Sequence, residues 1–246
     1  MNPESRRPSW RPQLTVQERR VGMVFFLLYL TVFPFLVGGV VRALDLGFSL
    51  MLTPTRSNAI YYTLILLIFV AVFWDFLRNA AVILRDNLHP SLVAFGAGFF
   101  AALGLTCLAG AIPLPVANPE IVTYKAYLLV SPAATWAVAG LLRPAVEEML
   151  YRGFLFGAVR RTSRVWAYVL SAGLFALSAV WQHALFFGSP AYLFLLLQYL
   201  PLGAVLCWSY DVSGSVYIPM ALRIAAQTMF LLFAALSPVE VPPMGL

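Results

Sequence analysis

Long apolar stretches alternate with short polar segments along the chain, and this pattern predicts its membrane-spanning helices. A helix needs about 20 mostly apolar residues to cross the hydrocarbon layer. The stretches that meet this requirement, or nearly so, are residues 21–41, 59–77, 91–112, 127–142, 165–187, 192–208 and 216–236. Residues 144–159 form either a further helix or the second half of one broken helix that begins at Tyr127. The pattern therefore predicts an all-α polytopic membrane helix bundle with about seven or eight transmembrane helices.

The composition leads to the same class of protein. Of the 246 residues, 61% are hydrophobic and 11% are charged, whereas soluble domains have about 45–50% apolar and about 25% charged residues. Mean hydropathy is +0.85. These values exclude a disordered chain and a secreted disulfide scaffold. The net charge of +6 fits the arginine-rich flanks of a membrane protein, so we expect membrane lipid as a partner and no nucleic acid.

The arginines predict how the chain is oriented. Five of them lie within the first twenty residues, before the first apolar stretch. Those that follow later spans on the same side are Arg78, Arg85, Arg160, Arg161 and Arg164. The opposite loops hold little beyond Arg56 and Lys125. Because cytoplasmic loops retain Lys and Arg, we expect a multi-pass integral protein of a prokaryotic plasma membrane with a cytoplasmic N-terminus.

The segment from Arg143 to Arg152 holds the densest group of ionisable residues in the apolar part of the chain. Such a group costs at least about 2.5–3.5 kcal/mol at membrane depth, which makes it a candidate functional site. Glu148 and Arg152 are four residues apart and can pair on one helix face, whereas Glu147 points about 100° away. Pro144 suits a first helical turn, which would place both glutamates near a helix start. We expect Glu147 to remain available as a general base; the alternative is a purely architectural cluster.

The sequence Glu147-Glu148-Met-Leu-Tyr-Arg152-Gly153 resembles the E-E-x-x-x-R-G signature of the CAAX-protease and bacteriocin-processing family of intramembrane peptidases, which includes type II prenyl endopeptidases. The resemblance extends from Arg143 to Ala235. It implies that the first glutamate activates the water that attacks a peptide bond, and that Glu148 and Arg152 support it. It also divides the chain into a cytoplasmic tail (1–20), N-terminal membrane helices (21–125) and CAAX-protease-like catalytic-type membrane helices (126–246).

Two later family motifs are altered in this chain. The segment around Phe175 resembles the family's F-x-x-x-H helix, but Ala179 stands at the histidine position. His183 follows one turn later on the same helix face and could reach a neighbouring part of the cavity. The segment from Ser213 resembles the last signature helix, with Arg223 at the histidine position and Gln227 at the asparagine position.

The resemblance and the residue chemistry together give a candidate catalytic set. It consists of Glu147, Glu148, Arg152, His183, Arg223 and Gln227. Gln227 or Arg223 would stabilise the oxyanion of the tetrahedral intermediate. A zinc site needs about three protein ligands, but the chain has two histidines, His89 lies in a polar loop, and an arginine stays protonated. We therefore expect no cofactor and no catalytic zinc.

The predicted function is an intramembrane endopeptidase that hydrolyses hydrophobic or membrane-associated peptides through a glutamate-activated water. The catalytic cavity is expected to face the cytoplasmic half of the membrane. One alternative is a catalytically impaired pseudoprotease, because Ala179 and Arg223 replace the motif histidines. A transporter is a further alternative, but its relay would need deep carboxylates on several helices, and here they cluster on one.

Overall fold

The computed structural model describes residues 13–33, 39–40, 43, 46–47 and 54–238. Its helices are α1 Val16–Thr31, α2 Pro54–Val72, α3 Trp74–Asp86, α4 Leu88–Gly110, α5 Pro119–Val130, α6 132–160, α7 Arg164–Phe186, α8 Leu196–Ser213 and α9 Tyr217–Leu236. A 3₁₀ turn, Pro190–Leu195, leads into α8. Among the described residues, five segments are long and apolar enough to cross a membrane: Thr55–Val72, Leu88–Gly110, Arg164–Phe186, Pro190–Ser213 and Tyr217–Leu236. The predicted all-α polytopic membrane bundle is confirmed.

The N-terminal spans differ in detail from their predicted bounds. The predicted span 59–77 is divided, because α2 ends at Val72 and the amphipathic α3 begins at Trp74. The buried residues of α3 are Phe76, Leu77 and Ala80, whereas its charged residues lie on other faces. Most of the predicted span 21–41 beyond Phe33 lies outside the described residues. The count of seven or eight spans therefore stays a prediction.

Helix α6 runs without interruption from 132 to 160 and contains two π-helical segments, Trp136–Leu142 and Met149–Phe156. The Arg143 N–H donates to Val138 O, five residues earlier, and the Gly157 N–H donates to Arg152 O in the same way. Proline has no N–H and usually breaks a helix interior. Here the first π segment ends at Leu142, two residues before Pro144, and the helix continues through the proline. The break therefore falls at Ser131, and the expectation that the glutamates lie near a helix start is wrong. Glu147 and Glu148 lie in the middle of α6.

One end of the bundle gathers most of the arginines that the structure describes. Here the start of α1 meets α3, since the Phe76 N–H donates to Glu18 Oε1 at 3.0 Å. The end of α6 and the start of α7 meet the end of α8, since Arg160 and Arg164 both bind the Asp211 carboxylate. We call this end of the bundle the arginine face; its described arginines are Arg19, Arg20, Arg78, Arg85, Arg160, Arg161 and Arg164.

Helix α1 packs against the middle of α6. The Phe26 ring lies 5.6 Å from the Tyr151 ring and 5.9 Å from the Phe154 ring, measured between centroids. Gly153, the glycine of the E-E-x-x-x-R-G motif, allows a close approach of α3, because a Cβ there would lie 2.9 Å from Phe76 Cζ. The glutamate helix is therefore held in place by the N-terminal helices.

Candidate active site

A cavity of about 560 Å³ lies between α1, α2, α5, α6 and α7. Glu147 and Arg143 lie in its wall on α6, and Glu120 joins them from α5. Tyrosines form much of the remaining wall: Tyr29, Tyr61, Tyr62, Tyr124 and Tyr127. A polar, aromatic cavity beside a buried carboxylate has the general character of a ligand site.

The cavity lies toward the end of the bundle opposite the arginine face. Its wall is built from the end of α1, the first turns of α2 and the last turns of α7, all of which point away from that face. Glu147 precedes Arg160 by thirteen residues in α6, or about 20 Å of helix. The expectation that the cavity faces the arginine-rich half of the protein is therefore wrong.

Glu147 is held between two guanidinium groups. Arg143 Nε donates to Glu147 Oε1 at 2.7 Å, and Arg223 NH2 lies 3.6 Å from Glu147 Oε2. Glu147 therefore has counter-ions on both oxygens, which contradicts the expectation that only Glu148 is paired. The sequence contained a signal for the first contact, because Arg143 precedes Glu147 by the same four residues that separate Glu148 from Arg152.

Glu148 and Arg152 form the predicted ion pair, away from the cavity. Arg152 NH1 donates to Glu148 Oε1 at 3.0 Å, and both side chains are fully buried. Arg152 NH2 also donates to the Gly203 carbonyl oxygen at 3.0 Å, which ties α6 to α8. The geometry gives this pair a supporting position behind the cavity wall.

The Phe175 ring on α7 contacts two of the three arginines that pair with Glu147 and Glu148. The Arg152 guanidinium lies 4.6 Å from the ring centroid and that of Arg223 lies 5.2 Å from it. Both distances are within cation–π range. The phenylalanine of the altered F-x-x-x-H motif therefore helps to fix both guanidinium groups.

Arg223 and Gln227 lie together behind Glu147, on α9. Arg223 NH1 donates to Gln227 Oε1 at 2.9 Å, which leaves the Gln227 amide nitrogen as a donor. The structure therefore brings Glu147, Arg223 and Gln227 into one cluster, although neither Arg223 nor Gln227 lines the cavity.

His183 lines the cavity near the end of α7, together with Ala179. Its ring neighbours are Phe187, at 6.3 Å between centroids, and Tyr192, at 6.4 Å. These contacts place the imidazole beside the end of α7 and the following 3₁₀ turn. A catalytic role for His183 in place of the missing histidine stays a prediction.

A second hydrogen-bond chain, not predicted from the sequence, continues from Arg143. Arg143 NH1 donates to Tyr124 OH at 2.6 Å and lies 3.5 Å from Glu120 Oε1. Tyr199 OH donates to Glu120 Oε2 at 2.6 Å, and Asn118 Nδ2 donates to Tyr199 OH at 3.0 Å. These contacts join α5, α6 and α8, and no local spacing in the sequence indicates them.

The side chains around Glu147 do not resemble a zinc site. In the part of the chain that the structure describes, no group of three His, Cys, Asp or Glu side chains could hold a metal ion. The groups next to the Glu147 carboxylate are guanidinium cations, which cannot act as metal ligands. The donor set therefore does not fit a catalytic zinc at this carboxylate.

The helices and the buried acidic cluster define a polytopic α-helical membrane protein with an internal polar site. Residues 129–229 match the family model for the type II CAAX prenyl endopeptidase Rce1-like proteins. The match confirms the predicted resemblance to this family over that part of the chain. The match begins in α5 and ends in α9, so it includes the helices that carry Glu147, Ala179 and Arg223. No curated protein and no solved structure is significantly similar to the chain.

The matched family is described as type II CAAX prenyl endopeptidase-like, and the match supports an intramembrane protease as the general class of this chain. Together with the five apolar helices, it also supports an integral membrane protein.

Proposed function

We propose that the protein is an intramembrane endopeptidase that hydrolyses hydrophobic or membrane-associated peptides through a water activated by Glu147. The observation that carries the proposal is the position of Glu147. Its carboxylate lies between two guanidinium groups, and its side chain lines a cavity of about 560 Å³. An ionisable cluster at this depth is costly, and the cavity gives it a place to meet a peptide and a water.

The reaction follows from the groups at the site. Glu147 takes a proton from water, and the water oxygen attacks the carbonyl carbon of the peptide bond. The N–H groups of Arg143, which lines the cavity beside Glu147, stabilise the oxyanion of the tetrahedral intermediate. Arg223, hydrogen-bonded to Gln227, supports the Glu147 carboxylate from behind. The carbon–nitrogen bond then breaks, and Glu147 passes its proton to the leaving amine. No metal or other cofactor takes part in these steps.

A protein that binds a hydrophobic segment without cleaving it is the second candidate. It is favoured by the crowding of Glu147, since one carboxylate oxygen accepts a hydrogen bond from Arg143 and the other faces Arg223. A nucleophilic water has to compete with the Arg143 hydrogen bond at one oxygen and with the Arg223 charge at the other. Ala179 also offers no imidazole at the family's histidine position.

The test compares variants of the purified protein in lipid vesicles on a panel of membrane-bound peptides, with and without prenylated C-termini. Glu147→Gln keeps the shape of the side chain but removes the base, and should lower turnover by about 10²–10⁴-fold. His89→Ala is the matched control and should leave turnover unchanged, because His89 lies exposed in the first turn of α4, and not in the predicted loop, away from the cavity.

Each other outcome has a distinct meaning. Equal turnover by the native protein and Glu147→Gln would rule out the glutamate mechanism. Loss of turnover on addition of a chelator would show that a metal is required. If all variants bind peptide and none cleaves it, the protein is one that binds hydrophobic segments without cleaving them.

A further inference from the structure

The two ends of the bundle differ in how they give access to Glu147. On the side away from the arginine face, polar residues extend from Glu147 to the helix ends, including Asn58 and Ser57 on α2, Thr123 on α5 and Gln182 on α7. These residues lie in the first turns of α2 and α5 and the last turns of α7. The cavity therefore reaches toward that end of the bundle.

On the other side of Glu147, packed apolar side chains close the way to the arginine face. The segment of α6 after the glutamates carries Leu150, Tyr151 and Phe154, which are 0–2% exposed. Phe26 of α1 and Phe175 of α7 pack against this segment. Close-packed protein interiors leave no room for a peptide or a water chain.

We infer that the site is loaded from the extracytoplasmic side of the membrane. The inference combines the position of the cavity with the positive-inside rule, which assigns the arginine face to the cytoplasm. Among the described residues, the end of the bundle at which the cavity lies has Arg56 and Lys125, whereas the arginine face has seven arginines.

This inference rests on the proposed function where it names a substrate class. If the protein is a peptidase, its substrates are hydrophobic peptides or membrane segments whose cleavage site is presented in the extracytoplasmic half of the membrane. Lipidated C-termini held at the cytoplasmic surface would not reach Glu147.

Thiol labelling tests the access route without any assay of activity. The background variant Cys107→Ser removes the exposed native thiol and keeps Cys207, which is buried. Three single cysteine variants are then probed. Asn58→Cys lies where the cavity reaches the end of the bundle, Ser178→Cys lies in the cavity wall, and Arg161→Cys lies at the arginine face. The probe is a sulfonated maleimide, which does not cross the membrane, added either to intact cells or to inverted vesicles.

We expect Asn58→Cys and Ser178→Cys to react at least about tenfold faster in intact cells, and Arg161→Cys to react faster in inverted vesicles, because the charged probe is excluded from the hydrocarbon layer. The reverse pattern would overturn the orientation. Reaction at Asn58→Cys without reaction at Ser178→Cys would overturn the cavity as the access route. Thermal unfolding of each variant, compared with the background, shows whether it is folded.

A second measurement separates this inference from the proposed function. The native protein is reconstituted in one orientation, and the peptide panel is added to one leaflet at a time. Cleavage only from the arginine-face side would overturn the access route while supporting the peptidase. Labelling as expected with no cleavage from either side would contradict the peptidase and leave the access route in place.

Discussion

The two adjacent glutamates have separate partners because successive helical residues point about 100° apart. Glu147 faces the cavity and Arg143, whereas Glu148 faces the core and Arg152. The first pair is positioned to meet a substrate, since Arg143 is about a quarter exposed. The second pair is fully buried, so its contribution is to the integrity of the site.

The buried pair supports a prediction about stability. Arg152→Met removes the counter-ion and leaves the Glu148 carboxylate buried alone, which should lower the free energy of unfolding by about 3–5 kcal/mol. The double variant Glu148→Leu/Arg152→Met should recover most of this loss, because no isolated charge remains. Unfolding in detergent, followed by helical circular dichroism, measures both.

Arg161→Met is the matched control, because Arg161 is exposed; it should change the free energy of unfolding by less than about 0.5 kcal/mol. If Arg152→Met is no less stable than Arg161→Met, the Glu148–Arg152 pair has no structural role.

At this scale, local spacing determines what could be predicted. The Glu148–Arg152 pair follows from its four-residue separation, and the Arg143–Glu147 pair was equally accessible to the same argument. The contact of Arg223 with Glu147 joins α9 to α6, so local spacing does not predict it. The resemblance to the family motifs does, because it assigns both residues to one site, where Arg223 could pair with Glu147.

At the scale of the element, α6 is the feature that positions the site. A helix end in the hydrocarbon layer would leave backbone N–H groups without partners, so the chain continues through Pro144 instead of starting a new helix there. The π segments on either side of Arg143–Glu148 accommodate this continuation. The proline pattern alone predicted a helix start, because such patterns describe helices in water.

The motif glycine of α6 gives a prediction about packing. Gly153→Ala would place a Cβ 2.9 Å from Cζ of Phe76, a ring that is 2% exposed. Because the buried ring has little room to move, we expect the free energy of unfolding to fall by about 1–3 kcal/mol.

Gly173→Ala provides the matched comparison, since a Cβ at that helical position meets nothing within 4 Å. It should leave stability unchanged or raise it by up to about 1 kcal/mol through helix propensity. Equal thermal stability of the two alanine variants would mean that the approach of Phe76 does not constrain residue 153.

At the scale of the whole molecule, the cavity is built both from helices that match a known family and from helices that do not. The family match covers residues 129–229, yet Tyr29 and Leu30 of α1 and Asn58 of α2 line the same cavity as Glu147. Hydrophobicity predicts that these N-terminal helices are in the membrane. It does not predict which of their faces meets α6, because apolar side chains can face either lipid or protein.

Phe26 tests whether α1 is an integral part of the site. Its side chain is 4% exposed and packs on Tyr151 and Phe154 of α6. We expect Phe26→Ala to lower the free energy of unfolding by about 3–5 kcal/mol through the space that it leaves. Because Tyr29 lies one turn further along α1 and lines the cavity, peptide turnover should fall as well.

Phe100→Ala is the matched control, because it makes the same substitution at an exposed position. Phe100 is 73% exposed on the outside of α4, and its loss opens no space between helices. Both variants are compared by thermal unfolding, and by peptide binding and turnover at a temperature where each is folded. If Phe26→Ala binds and unfolds like Phe100→Ala, α1 is only a membrane anchor and the cavity does not depend on it. A loss confined to Phe26→Ala would mean that the protease-like helices need α1 to complete their site.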